Sequence, residues 1–78
     1  MKIVYRIGAS PRERGSLLGE TCPDIFLLSD GNFAVIGTEA TAQLRGQLPD
    51  DGALADRDRI VIISRETLTR AKADIPDA

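Results

Sequence analysis

Histidine and tryptophan are absent from this chain, and cysteine occurs once, at Cys22. Each gap closes off chemistry. Without histidine there is no Ser-His-Asp triad and no Cys-His pair. A lone cysteine makes neither an internal disulfide nor a CxxC redox pair, and without histidine it cannot build a zinc site. No cofactor or metal is therefore expected, and the chain reads as a non-enzyme. Cys22 is expected to be an unreactive residue fixed by Pro23 at the head of a strand. Having no internal disulfide favours a reducing, cytoplasmic setting. Aromatic residues are 4% of the total, so the core must be built from Ile, Leu, Val and Ala. No apolar run approaches membrane-spanning length, and the one in MKIVYRIGASPR is too short for a secretory signal.

What is present fits one small domain over residues 1–78. Hydrophobic residues make up 42%, too many for a disordered tail. A chain of 78 residues buries only a modest core. A shared core, in a homodimer or with a protein partner, is therefore a live expectation. Ten basic residues face twelve acidic ones, a net charge of −2. That balance argues against direct nucleic acid binding, which rests on phosphate neutralisation. The charge is unevenly placed. Lys2, Arg6, Arg12 and Arg14 outweigh Glu13 near the start, whereas residues 20–58 are strongly acidic.

KIVYRI, residues 2–7, alternates in period two and predicts a half-buried edge strand. In SPRER, Ser10, Pro11 and Glu13 sit at the cap, first-turn and capping-box positions of a short helix. CPDIFLLSDGNFAVIG predicts a β-hairpin of residues 24–29 and 32–37. Asp30-Gly31 would form its type I′ turn. That register places Phe26, Leu28, Phe33 and Val35 on one face, and Ile25, Leu27, Ala34 and Ile36 on the other. Both faces are apolar, so the hairpin should be central and covered on both sides. Thr38 is the expected cap of a helix over 39–48 with an Ala40, Leu44 and Leu48 stripe. Residues 49–58 read as an acidic surface loop, 59–63 as a late strand, and 65–73 as a helix capped by Ser64. In that helix Leu68 and Ala71, with Ile75 beyond its end, should face the core. Residues 74–78 read as a tail. The sum is an α+β domain with a small sheet of about four strands.

Two segments are candidates for contact with a ligand or partner. One is the turn around Ser10, Arg12 and Arg14, where a glycine, a capping serine and two arginines could meet an anion or an acidic protein surface. It lacks the spacing and the Gly-Lys-Ser/Thr end of a P-loop. The other is the acidic loop with Asp50, Asp51, Asp56 and Asp58. It lacks the alternating oxygen ligands and the closing glutamate of an EF-hand, so it reads as a solvated contact surface. Arg65, Thr69 and Lys72 lie on one side of the last helix, but no helix-turn-helix partner precedes it and RNA-stacking aromatics are missing.

Arg12-Glu13, Cys22-Pro23, Asp30-Gly31, Val35-Ile36-Gly37 and the late RIVIISRETL together resemble a family of small, functionally unassigned actinobacterial proteins. Those proteins are encoded beside helix-turn-helix regulators of the phage-repressor type. The resemblance covers most of the chain through short, structural motifs. It implies a protein partner in a regulatory or toxin–antitoxin-like pair, and supplies no catalytic residues. The primary expectation is thus a protein-binding module acting by surface occupancy. The alternative is a small anion- or ligand-binding domain using Ser10, Arg12 and Arg14.

Overall fold

The structure is a computed structural model and describes residues 1–8, 10 and 23–76. The class is α+β. Strands β1 (Ile3–Arg6), β2 (Asp24–Leu28) and β3 (Phe33–Ile36) form one antiparallel sheet in that order. Strands β4 (Thr38–Glu39) and β5 (Val61–Ile62) form a separate two-stranded sheet. Helix α1 (Thr41–Leu44) runs into a 3-10 turn over 45–47, and α2 (Arg65–Ala71) into another over 72–74. The late strand therefore does not join the hairpin's sheet. It pairs with Thr38 and Glu39, and the expected four-stranded sheet divides three and two.

The hairpin forms where expected, but its register is offset by one residue. Leu27 faces Phe33, Phe26 faces Ala34, Ile25 faces Val35 and Asp24 faces Ile36. The loop has three residues rather than two. The Gly31 N–H donates to the Leu28 carbonyl at 3.0 Å, and the Leu28 N–H donates to the Asn32 carbonyl at 2.9 Å. Gly31 has φ +89°, and among the described residues no non-glycine residue has positive φ. A type I′ turn would need positive φ at Asp30 as well, so the chain takes a type I turn closed by a glycine bulge. The offset redistributes the side chains, because a one-residue slip changes which face each presents. Ile25, Leu27, Phe33 and Val35 now share one face, and Phe26, Ala34 and Ile36 share the other with Asp24. β2 is central, but β3 is an edge strand, and its Phe33, Val35 and Ile36 are exposed. Among the described residues the expected cover on both sides is missing there.

The core is small. Ile7, Ile25 and Ala71 are its buried centre, with Leu27 and Ile63 packed against them. Ile7 continues β1 by donating to the Ile25 carbonyl at 2.8 Å. Ala71 brings α2 onto the sheet and is 0% exposed. The Ser64 cap forms as expected, its hydroxyl accepting the Thr67 N–H at 3.1 Å. The buried stripe of α2 is Thr67 and Ala71, however, and Leu68 and Ile75 are exposed. Thr67 tolerates burial because its hydroxyl lies 2.8 Å from that of Ser64.

The helix expected over 39–48 loses its first residues to β4. Backbone pairing of Thr38 with Ile62 and Glu39 with Val61 prevails over the capping preference of Thr38. Ala40 occupies the cap position with no side-chain bond, and α1 is a single turn. Ala40 is buried, whereas Leu48 is exposed. The Thr41 hydroxyl extends the β4–β5 pairing by accepting the Ile60 N–H at 2.8 Å, beside a bond from the Ala40 N–H to the Ile60 carbonyl.

Candidate interaction surface

Four hydrophobic residues are buried among those described: Ile7, Ile25, Ala40 and Ala71. Many more large apolar side chains are exposed. On the three-stranded sheet alone they include Ile3, Val4, Tyr5, Phe33, Val35 and Ile36, each at least 42% exposed. Isolated exposed apolar residues are ordinary, but neighbours on one face form a patch, and Tyr5, Phe33 and Val35 share the face of Leu27. A shallow depression of about 550 Å³ between Val4, Leu27, Phe33 and Pro76 sits within it.

One polar feature lies on the opposite face. Asp24 lies on the face shared with Phe26 and Ile36, and is 3% exposed. Arg6 answers it from the neighbouring strand. Its Nε donates to Oδ1 at 2.9 Å and Oδ2 at 3.0 Å, and a second guanidinium nitrogen lies 2.9 Å from Oδ2. The Arg6 guanidinium also sits over the Phe26 ring, 5.4 Å from its centroid. Nothing in the local sequence marks Asp24 and Arg6 as a pair. The available signal was that these are the charged residues within the two strands, and opposite charges on adjacent strands pair.

The acidic loop stands apart from the three-stranded sheet in its bonding. Asp50, Asp51, Asp56 and Asp58 are all exposed. Asp56 and Asp58 line an open depression of about 630 Å³ with Glu39, Arg45 and Arg59, whereas Asp50 and Asp51 lie outside it. The loop is held by its own turn. The Asp58 carboxylate accepts the Ala55 N–H at 2.9 Å, and Arg59 Nη1 donates to the Asp56 and Asp58 carbonyls. Glu39 accepts the Thr41 N–H at 2.9 Å. Hydrogen bonds from the Thr41 hydroxyl and backbone, with Arg59 nearby, hold its carboxyl below its ordinary value.

Of the N-terminal turn, Ser10 is half-buried. Arg12, Arg14, Cys22 and the expected short helix fall outside the described residues. Just before Ser10, Gly8 donates its N–H to the Asp74 carboxylate at 2.8 Å. Arg65 and Thr69 are exposed on α2 and Lys72 on the 3-10 turn after it, and on α2 Arg70 pairs with Glu66 at 3.0 Å one turn back. Among the described residues no group of three potential ligands could hold a metal ion, and no helix is long and apolar enough to cross a membrane.

No family model, curated protein or solved structure matches the chain.

Proposed function

We propose that this chain is a non-enzymatic protein-binding module that acts by occupying a partner's surface, with a helix-turn-helix transcriptional regulator as the partner. The observation that carries the binding role is the apolar patch on one face of the three-stranded sheet. Tyr5, Phe33 and Val35 on that face are each 42% exposed or more, beside few buried residues among those described. Burying such residues against a partner supplies roughly 25 cal/mol per Å² of apolar surface. The acidic loop adds a charged rim, and exposed carboxylates contribute to encounter rate more than to final affinity. The motif resemblance supports the class of partner.

Immobilised chain, presented to an extract of its native host, is the test. The wild type is expected to retain a helix-turn-helix regulator and to change its affinity for operator DNA. Tyr5→Glu should lose most of that retention, because it places a charge in the patch. Asp56→Asn with Asp58→Asn should slow association while leaving dissociation nearly unchanged. If the wild type retains no regulator and operator binding is unaltered, the reading fails.

A further inference from the structure

Residues 38–62 leave the three-stranded sheet after β3 and return to the core at Ile63. Their hydrogen bonds close on themselves. Thr38 and Glu39 pair with Ile62 and Val61. The Ala40 N–H donates to the Ile60 carbonyl, and the Ile60 N–H donates to the Thr41 hydroxyl, each at 2.8 Å. The Ala55 N–H donates to Asp58, and Arg59 donates to the Asp56 and Asp58 carbonyls. Among the described residues, no hydrogen bond or ion pair joins this segment to β1, β2, β3 or α2.

The two ends of the segment abut. A Cβ built on Gly37 would lie 2.5 Å from the Ile62 carbonyl oxygen. Only a glycine lets the chain come back this close to where it left. The segment also adds little to the core. Of its residues only Ala40 is buried, and Ala40 is not part of the cluster of Ile7, Ile25 and Ala71. Helix α2 is fastened differently. Its Ala71 belongs to that cluster, and Asp74 just beyond it accepts the Gly8 N–H. A segment built like 38–62 opens at a cost set by its own bonds, because no bond elsewhere has to break. Opening also returns conformational entropy to its backbone.

We propose that residues 38–62 form a separate cooperative unit, which opens and closes as a whole while the three-stranded sheet and α2 stay folded. The acidic loop then rides on a part of the molecule that rearranges without unfolding the rest. It can adjust on contact while the apolar face of the sheet stays fixed. This goes beyond the partner-binding reading and does not depend on it.

Native-state hydrogen exchange on the full chain, over a series of low urea concentrations, tests the unit. Ala40 and Ile60 report on the segment. Ile7, bonded to the Ile25 carbonyl, and Leu28, bonded to the Asn32 carbonyl, report on the sheet. Ala40 and Ile60 are expected to share one protection factor, roughly tenfold or more below that of Ile7 and Leu28. Their urea dependence should be common to both and shallower than the sheet's, because opening the segment exposes less surface. Ser64→Ala supplies the contrast, since it removes the cap of α2 and lies outside the segment. Protection at Ile7 and Leu28 should fall by roughly fivefold. Ala40 and Ile60 should keep theirs, because they exchange without α2 unfolding. Should the variant fail to fold, the urea slopes of the wild type decide. Equal protection at all four amides, at any level, overturns the proposal. So does a loss in Ser64→Ala that reaches Ala40 and Ile60 in the same proportion. Unlike protection and unlike slopes at Ala40 and Ile60 overturn it too, because they indicate fraying rather than one unit. The measurement uses the chain alone, so its outcome is independent of whether a regulator is retained.

Discussion

Asp24 and Arg6 form a pair whose two halves are not equivalent. The carboxylate is almost wholly buried, while the Arg6 side chain is 41% exposed. Removing one member of such a pair costs most when the charge left behind is the buried one. Arg6→Ala is therefore expected to destabilise the fold by about 3 kcal/mol or more, as it strands the Asp24 carboxylate. Asp24→Ala should cost less, about 1–2 kcal/mol, because the guanidinium can turn to water. Urea unfolding of both variants checks the order, and equal or reversed losses would refute it. A second contrast lies between two glycines of positive φ. A Cβ at Gly8, φ +76°, would come within 3.0 Å of the Ala71 backbone nitrogen, whereas one at Gly31 would meet nothing within 4 Å. Gly31→Ala should thus carry only the conformational cost of about 1–2 kcal/mol. Gly8→Ala adds displacement of α2, and its melting temperature should fall clearly further.

At the level of elements, the junction between β4 and α1 is held by Glu39 and Thr41. Because the folded-state pKa of Glu39 is lowered from 4.5, its ionised form contributes stability above that value. The contribution is lost as pH falls through the lowered folded value. Glu39→Gln is expected to flatten the acid limb of a stability–pH curve in that window and to leave neutral-pH dependence unchanged. The same junction shows what the sequence reveals and what it hides. Alternation in KIVYRI and the apolar runs flanking Asp30-Gly31 locate three strands, since the pattern is local. Ser64 likewise announces α2. Thr38 suits a helix cap or a strand equally, and the choice lies with Ile62, far along the chain. The hairpin's register turns on the φ of Asp30, because one dipeptide serves turns of different length. The Arg6–Asp24 pair bridges strands 18 residues apart, so no local pattern exposes it. The acidic loop was legible as exposed, because four aspartates near Pro49 and Gly52 have no reason to be buried.

For the whole molecule, the governing fact is the ratio of exposed to buried apolar side chains. A thin core shared by Ile7, Ile25, Ala71, Leu27 and Ile63 gives little reserve. Apolar surface left to water by the monomer should bind a fluorescent apolar dye at low protein concentration. Addition of a retained partner should lower the dye bound per chain. A dye signal that stays at background throughout would show that the apolar patch is closed within one chain.

The bond from Gly8 to the Asp74 carboxylate spans 66 residues, and Ala71 packs on Ile7 and Ile25 in the same region. This has a consequence for synthesis on the ribosome. The first strands emerge early, yet the residues that close over them arrive with α2. A nascent chain halted before Ile63 carries the hairpin without its cover and lacks both Ala71 and Asp74. Stable folding therefore waits for nearly the whole of this chain to be made. Until then, the greasy strands are available to whatever meets them first, whether a chaperone, a waiting partner or a neighbouring nascent copy.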